Sequence, residues 1–311
     1  MSKKMKGNLI MMLTAMIWGS AFVAQKQGMD IVGPIAFNGV RTILAALVLI
    51  PVIIVLDKAK GENKQKLDKT HLIGGICCGC ALFLGANIQQ VGIYYTSVAH
   101  SGFITALYVV IVPLLGIFVR KRVTPVLWCC VAASAVGLYL LCIPTEGFGE
   151  INVGDIVIFA CAVAFAVHIL IIDHFSPKTD GVKLSCIQFI VSGILSLIFM
   201  PLVDPALGFG ITSVDALLDC WMPIAYAGVL SSGVGYTLQI VAQKNTDPTV
   251  ASMILCLESV FALIAGMIIL REMMSLREIA GCVIMFIAIV VANLQGTEKS
   301  ETPKAPETQE A

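Results

Sequence analysis

Charged residues are scarce in this sequence. Asp, Glu, Lys and Arg make up 13% of the 311 residues, against about 25% in an average soluble domain. Hydrophobic residues make up 58%, and the mean hydropathy is +0.92. Because so few charges cannot cover a water-soluble core of this size, a soluble enzyme is excluded. The formal net charge is zero, so the composition predicts no nucleic-acid partner.

The sequence also lacks the short motifs of several chemical functions. It contains no phosphate-binding loop, no His-Glu-x-x-His and no Gly-x-Ser-x-Gly. The chain alone therefore has no ATP-hydrolysing site that could drive transport, and no cofactor is predicted. Nearly all of the eleven cysteines fall within apolar runs, where they behave as small apolar residues. Their spacing matches neither a disulfide framework nor a zinc site, so no metal is predicted.

Long apolar runs, in contrast, are abundant. A bilayer-spanning helix needs roughly 20 apolar residues, and ten runs of about this length can be found. They cover residues 7–27, 35–56, 72–91, 97–119, 124–143, 154–172, 183–202, 218–241, 248–270 and 276–294. Turn residues stand at the start of three runs, at Gly33-Pro34, Thr124-Pro125 and Asp247-Pro248. The first run has no clear cleavage site, which favours a retained helix over a signal peptide.

The distribution of basic residues predicts the orientation of these helices. Sixteen of the 20 Lys and Arg residues fall on one side if the N-terminus is cytoplasmic, and three fall on the other. Cytoplasmic loops are enriched in Lys and Arg. We therefore expect a multi-pass protein of the inner cell membrane with both termini in the cytoplasm. The polar tail at residues 295–311 is predicted to be disordered.

The second half of the chain weakly repeats the first. At a shift of 150 residues, eight positions between residues 85 and 116 carry identical residues, including the pairs Gln89/Gln239 and Thr96/Thr246. The predicted units, residues 7–143 and 154–294, each hold five helices. Because five is odd, the second unit must be inverted relative to the first. Inverted repeats are common in secondary transporters, whose halves rock about a site near the bilayer midplane.

Short motifs recur along the whole chain. They are Trp18-Gly19, Pro34 with Arg41, Thr105-Ala106-Leu107-Tyr108 leading to Pro113, Leu257-Glu258, Arg271-Glu272 and Gly281. In order and spacing this set resembles the EamA-type transporters of the drug/metabolite transporter superfamily, over residues 7–294. The resemblance implies a ten-helix secondary transporter of small metabolites, and many members are exporters.

Two positions depart from the family pattern. Ser259 follows Glu258 where the family has proline, and Arg271 precedes Glu272 where it has glycine. The absence of the proline predicts that helix nine lacks the family's kink.

Charged side chains within a span are costly, so they tend to face a cavity or a partner. Arg41 lies about six residues, or roughly 9 Å, inside helix two. Asn38 is one turn away on the same face. Arg41 could bind an anionic substrate group or form an outer gate. Alternatively, it could extend to the lipid headgroups or brace two helices.

Glu258 and His168 are the titratable side chains deepest in the spans. A buried carboxyl group or an imidazole can exchange a proton near neutral pH. Glu258 is therefore the first candidate for proton coupling, and His168 is the second. The structural alternatives are a protonated Glu258 bonded to a neighbouring helix, an ion pair between Glu258 and Arg41, and a His168 that only packs in the interior.

Polar residues share faces on helices one, three and eight. Because helices three and eight are repeat partners, their polar faces are predicted to line opposite walls of one cavity. The predicted cavity residues are Trp18, Gln25, Asn38, Arg41, Asn87, Gln90, Tyr108, Tyr236 and Gln239. Interhelical hydrogen bonding is the alternative for this set.

Together these features predict an all-α integral membrane protein with ten transmembrane helices in two inverted five-helix repeats. The expected function is proton-coupled export of a small polar or amphipathic metabolite, such as an amino acid, by alternating access. The expected partners are this solute, protons and the lipid bilayer, and a homodimer is left open. The alternatives are an exchanger or uniporter, an intramembrane enzyme, and a membrane sensor or scaffold. The enzyme would need acids or histidines clustered at one interface, whereas the candidates here are scattered.

Overall fold

The computed structural model describes residues 3–29, 31–96, 98–119, 121, 123–143, 147, 152–210, 212–262, 264 and 275–298. Within these ranges all regular secondary structure is helical and no strand occurs. Arg271, Glu272 and the tail from residue 299 onward lie outside the described residues. The predicted tail starts too early, because the last helix continues through residue 295 to Glu298.

The helices follow one another with short connections. Their bounds are α1 Lys3–Met29, α2 Pro34–Lys60, α3 Lys69–Tyr95, α4 Val98–Ala106, α5 Tyr108–Phe118, α6 Pro125–Cys142, α7 Val153–Phe175, α8 Gly181–Ala206, α9 Val214–Asp219, α10 Trp221–Ala225, α11 Thr237–Gln243, α12 Pro248–Leu255 and α13 Leu276–Glu298. A π-helix, Tyr226–Tyr236, joins α10 to α11. Short 3-10 turns follow α2 and α7, and residues 258–262 are again helical.

Seven helical segments of the described chain are long and apolar enough to cross a membrane. They are Pro34–Asn63, Lys69–Tyr95, Ser101–Phe118, Pro125–Cys142, Val153–Lys178, Gly181–Ala206 and Trp221–Gln243. A shorter apolar helix covers Pro248–Ala262, and α1 and α13 have 27 and 23 residues. The chain is thus a multi-pass, all-helical protein, while the count of ten spans stays a prediction.

Proline starts three helices, as the sequence indicates. α2, α6 and α12 begin at Pro34, Pro125 and Pro248. Proline is tolerated in the first helical turn because the N–H that it lacks would have no partner within the helix. The preceding side chains cap two of these helices: the Thr124 hydroxyl accepts from Leu127 N at 3.3 Å, and Asp247 accepts from Thr249 N at 2.9 Å.

Two helices that the sequence predicts to be continuous are interrupted at equivalent places. A tight turn at Leu107, whose N–H donates to Ile104 O at 3.2 Å, separates α4 from α5. Another at Leu257, whose N–H donates to Ile254 O at 3.1 Å, follows α12. Helix nine thus has the same local turn as helix four although no proline stands there, a feature that the sequence does not predict.

Contacts between the two halves come in matched pairs. Thr96 Oγ1 donates to Asp155 at 2.6 Å, and Thr246 Oγ1 donates to Asn8 at 3.2 Å. The two threonines are the identical pair found at the 150-residue shift. Where α6 crosses α13, a Cβ on Gly137 would lie 2.7 Å from Gly281 O, and one on Gly281 would lie 2.5 Å from Gly137 O.

The central helices surround the interior of the protein. α3 packs against both α7 and α8, α2 packs against α8, and α1 runs along the π-helix and α11. The interruptions at Leu107 and Leu257 lie inside this group, because α5 contacts α7 and α12 contacts α1. The residues that follow the interruptions are therefore directed to the middle of the molecule.

Candidate functional site

A cavity opens between the two halves at the level of the interrupted helices. The cavity itself is narrow, with a volume of about 50 Å³. It is lined by Trp18, Ala21, Gln25, Arg41, Gln89, Thr105, Tyr108, Phe165, Ser231, Tyr236 and Glu258. Both halves of the chain contribute to this wall, which combines aromatic, amide and hydroxyl groups with one cation and one acid.

The helix interruptions bring Tyr108 and Glu258 face to face. Each residue directly follows its turn, Tyr108 after Leu107 and Glu258 after Leu257. The Tyr108 hydroxyl donates to Glu258 Oε1 at 3.4 Å, and both side chains are buried. The two residues are 150 positions apart, which is the shift of the internal repeat. A carboxyl group and its donor therefore sit where equivalent parts of the two halves meet.

Arg41 supplies the cation of the wall. Its side chain is 4% exposed, which argues against an extension to the lipid headgroups. Its Nε is buried and has no hydrogen-bond partner among the described residues. No ion pair of the described chain joins Arg41 to Glu258, and the nearest aromatic ring contact is with Phe37, 5.8 Å from Cζ. A buried guanidinium without a carboxylate is unfavourable for stability alone, so its position favours a binding role.

Aromatic rings form one side of the cavity. The ring centroids of Trp18 and Tyr236 are 4.5 Å apart, and Trp18 Nε1 donates to Ser231 O at 3.1 Å. Ser231 lies within the π-helix, a rare conformation that is frequent at functional sites. The indole ring can approach because the facing position is glycine: a Cβ on Gly235 would lie 2.6 Å from Trp18 Nε1.

The first half contains an equivalent aromatic contact. A Cβ on Gly85 would lie 3.0 Å from the ring of Phe165, another residue of the cavity wall. Gly85 and Gly235 are one of the identical pairs of the repeat. In both halves, therefore, a glycine at the same position admits an aromatic ring to the cavity.

The amide side of the wall differs from the predicted one. On α3 the cavity residue is Gln89, whose Nε2 donates to Thr105 Oγ1 at 3.2 Å. On α1 it is Gln25, which is buried and whose Oε1 has no partner among the described residues. Gln25 therefore keeps a hydrogen-bond acceptor that the described protein groups do not use.

The structure brings six predicted residues together in this cavity. They are Trp18, Gln25, Arg41, Tyr108, Tyr236 and Glu258. The predictions that Asn38 and Asn87 line it do not match the geometry. Asn38 Nδ2 donates to Ala86 O at 2.9 Å and to Asn87 Oδ1 at 3.2 Å, and Asn87 Nδ2 donates to Ser196 Oγ at 2.8 Å. These amides instead join α2, α3 and α8, which is the interhelical alternative.

Gln90, Gln239 and His168 also lie away from the cavity lining. Gln90 Nε2 donates to Gln25 O at 3.5 Å, and Gln239 Nε2 donates to Gln243 Oε1 at 3.5 Å. His168 Nε2 lies 3.0 Å from Gln188 Oε1. Of the predicted polar face of helix eight, Tyr236 lines the cavity and Gln239 does not.

Five cavity residues are absent from the predicted set. They are Ala21, Gln89, Thr105, Phe165 and Ser231. Two of them carried a usable signal: Gln89 is identical to Gln239 across the repeat, and Thr105 opens the motif that ends at Tyr108. Ala21, Phe165 and Ser231 are ordinary residues of an apolar helix, and only the packing of the helices selects them.

At the end of the molecule formed by the α2–α3 and α7–α8 connections, called here the lysine-rich end, ion pairs join the two halves. Lys183 Nζ lies 2.9 Å from Asp57 Oδ2 and donates to Gln65 O at 2.6 Å. Lys60 Nζ lies 2.6 Å from Asp180 Oδ2. Burial would raise the pKa of Asp180, but hydrogen bonds from Lys60 and from the Lys183 and Val182 N–H groups lower it below its ordinary value.

The opposite end has a related contact of a different chemical kind. Near the end of α8, Asp204 accepts hydrogen bonds from Ile35 N at 3.0 Å and Ala36 N at 2.9 Å. These N–H groups lie in the first turn of α2, where unpaired donors favour a carboxylate. At each end, therefore, an acid near the C-terminus of one helix contacts the start of the other. Asp57 of α2 contacts the start of α8, and Asp204 of α8 contacts the start of α2.

Comparisons with known proteins cover most of the chain. The sequence profile of the EamA-like transporter family matches residues 5–143 and 152–294. A protein of Archaeoglobus fulgidus named an uncharacterized transporter is 29% identical over 299 residues, which cover 94% of this chain and 87% of that protein. A protein of Clostridium kluyveri with the same name is 22% identical over 318 residues, covering 98% and 99%.

The fold is also found among solved structures, of which one crystal structure serves as an example. It superposes with a TM-score of 0.76 at 17% identity, and the alignment covers 93% of this chain and 99% of that chain.

Proposed function

The chain belongs to the EamA-like transporter family, and from this premise we propose that it is a ten-helix secondary active transporter. The solute is a small polar or amphipathic organic molecule such as an amino acid, and the mechanism is alternating access. The observation that carries the proposal is the cavity in which Tyr108 meets Glu258, while Arg41 Nε in the same wall has no partner among the described residues. Aromatic and amide groups around these charges suit an organic solute better than a bare ion.

The architecture that we propose has two inverted five-helix repeats, residues 7–143 and 154–294. The reciprocal contact of Gly137 with Gly281 supports this arrangement, as does the equivalent position of the two helix interruptions. Interrupted helices at a repeat interface are typical of binding sites in secondary transporters. We place the protein in the inner cell membrane, with both termini and the tail in the cytoplasm, because basic residues concentrate on that side.

Alternating access requires contacts that close each end of the cavity in turn. The ion pair between Lys183 and Asp57 and the bonds from α2 to Asp204 are the candidates for these two closures. They lie at opposite ends and join helices of different halves. Rocking of one half against the other would break one set while the other set holds.

Glu258 is the proposed proton carrier, because it is the acid in the cavity wall and has a hydroxyl donor beside it. His168 is a weaker candidate, since its ring nitrogen is already engaged by Gln188 outside the lining. The proposed direction is export, by analogy with the family alone.

Purified protein in liposomes with entrapped pyranine tests the coupling. Individual amino acids are added across a pH gradient, and proton movement is read from the dye. We expect a solute that moves protons through the wild type and through Glu62→Gln, a charge-matched control on an exposed turn, but not through Glu258→Gln. Unchanged proton movement in Glu258→Gln would refute proton coupling there. Solute exchange without any proton dependence would instead identify an exchanger or uniporter.

A further inference from the structure

We propose that a separate cavity at the lysine-rich end binds the phosphate group of an anionic membrane lipid. This cavity has a volume of about 410 Å³ and shares no lining residue with the cavity around Tyr108 and Glu258. Its wall is formed by the end of α2 and the turn after it, by the α7–α8 connection and the start of α8, and by the end of α11. Both halves of the chain therefore contribute to it.

Two ammonium groups of the wall supply the positive charge. Lys60 ends α2 in the first half, and Lys244 follows α11 in the second half. Lys60 Nζ donates one hydrogen bond to Asp180 Oδ2 at 2.6 Å, and an ammonium group has two further donors. Lys244 forms no ion pair with any residue that the structure describes. A phosphate, which lysine binds as a point charge, could therefore accept from both side chains.

Asp180 is the acid of this wall, but its oxygens are already engaged. Oδ1 accepts from Val182 N at 3.0 Å and from Lys183 N at 3.3 Å, and Oδ2 accepts from Lys60. The carboxylate thus caps α8 and fixes the position of the Lys60 ammonium group. Two lysines against one aspartate leave the cavity with one positive charge, which an anion would neutralise.

A buried hydroxyl group points to a ligand independently of the lysines. Ser176, in the 3-10 turn after α7, is 1% exposed and belongs to the wall of the cavity. Its Oγ has no hydrogen-bond partner among the described residues. A buried donor without an acceptor is unfavourable for stability. A phosphate oxygen between the lysines and this turn would supply the missing acceptor.

The apolar part of the wall favours a lipid over a free phosphate. It is formed by Val182, Ile240 and Val241. Val241 is 39% exposed and lies near the end of the membrane-capable segment Trp221–Gln243. The cavity therefore extends from the lysines to the end of a span, where headgroups and acyl chains meet. Basic pockets between helices on the cytoplasmic side of a membrane bind anionic headgroups in this way.

A lipid phosphate in this position would join the two halves of the molecule. It would link Lys60 to Lys244, beside the ion pair of Lys183 with Asp57. A ligand that binds the folded state raises its stability, so the lipid should raise the Tm. Without the lipid, Lys244 has no charged partner in the described chain, so its replacement should matter only when the lipid is bound.

Native mass spectrometry of the purified full-length protein in delipidated detergent tests the site. Phosphatidylglycerol and phosphatidylcholine with the same acyl chains are titrated separately. We expect one phosphatidylglycerol to bind about tenfold more tightly than phosphatidylcholine, and to raise the Tm. Inorganic phosphate, added at millimolar concentration, should neither bind comparably nor displace the lipid.

Three variants assign the binding to residues. Lys60→Gln and Lys244→Gln should each weaken phosphatidylglycerol binding about fivefold, which corresponds to one lysine near an anionic surface. Ser176→Ala should also weaken it, while the Tm without lipid is kept, because the lost hydroxyl has no partner in the described protein. Lys178→Gln is the matched control and should bind like the wild type, since Lys178 lies outside the wall, with its Nζ 2.9 Å from His174 Nε2.

The results that would overturn the proposal are distinct. Equal affinity for the two lipids would refute recognition of the anionic phosphate group. A uniform loss in all variants, Lys178→Gln included, would indicate attraction by surface charge without a site. Phosphate that displaces the lipid would identify a soluble phosphate compound as the ligand and refute the lipid. Ser176→Ala keeps the site falsifiable where a lysine variant lowers the Tm by itself: unchanged lipid binding in Ser176→Ala would refute the site.

Discussion

The crossing of α6 and α13 offers a quantitative prediction about the relation between the two halves. Alanine at Gly281 places a methyl group 2.5 Å from Gly137 O and 3.0 Å from Leu141 N. Both contacts are with backbone atoms, which cannot move aside alone. Because non-bonded atoms of this kind need about 3.5 Å, the helices must separate locally by roughly 0.5–1 Å.

The expected loss of stability follows from this overlap. Overpacking of a tight contact costs about 1–3 kcal/mol, and alanine recovers about 0.5–1 kcal/mol over glycine within a helix. The net destabilisation of Gly281→Ala is therefore roughly 0–2.5 kcal/mol, centred near 1 kcal/mol. Gly137→Ala should have a similar effect, because its methyl group would lie 2.7 Å from Gly281 O. The double variant should lose less than the sum, since the first methyl group already separates the helices.

Thermal unfolding of the purified protein in detergent, followed by intrinsic tryptophan fluorescence, measures these effects. Gly102→Ala is the control, because no described atom lies within 4 Å of a Cβ placed there and the residue is likewise helical. We expect the Tm of Gly281→Ala to lie several degrees below that of Gly102→Ala. Equal Tm values, or strictly additive effects in the double variant, would refute the close and reciprocal contact of the two helices.

Two further predictions concern the lysine-rich end. Lys183→Gln removes the ion pair with Asp57, which is worth about 1 kcal/mol. Amide hydrogen exchange of residues 61–68 should therefore become about fivefold faster. Lys244→Gln, an exposed change in the same region, should leave the exchange rate unchanged. The pKa of Asp180 is lowered in the folded protein, so its ionised form stabilises the fold above the ordinary carboxyl pKa of about 3.9. This stabilisation is lost as the pH falls through the lowered folded value. The Tm of Asp180→Asn should therefore be below that of the wild type at pH 7 and approach it in acid, whereas a constant difference would contradict this account.

Much of the fold could be predicted from composition and local pattern. A hydrophobic fraction of 58% and long apolar runs predict membrane helices, and prolines at residues 34, 125 and 248 mark the starts of three. The resemblance to EamA-type transporters is confirmed by the family match. Helix interruptions were missed because a tight turn without proline or glycine leaves no compositional signal. The turns at Leu107 and Leu257 are visible only as a backbone hydrogen-bond pattern.

Only part of the candidate site could be predicted from the sequence. Buried ionisable residues such as Arg41 and Glu258 are conspicuous, because charge is rare and costly within a span. Amides are less informative, because an amide group can form its hydrogen bonds with a neighbouring helix as well as within a cavity. Gln89 and Gln90 are adjacent in the chain, yet the first lines the cavity and the second donates to the backbone of α1.

The sequence by itself determined that this chain is a helical membrane protein of a transporter family and that its halves are related. Apolar length, charge asymmetry and repeated residues are properties of the chain, and they hold before any packing occurs. The tertiary structure decided which side chains meet. Helix rotation, the π-helix and the paired interruptions set the angle of each residue. Only the packed molecule therefore places Tyr108 against Glu258 and leaves Arg41 Nε in the same wall without a partner among the described residues.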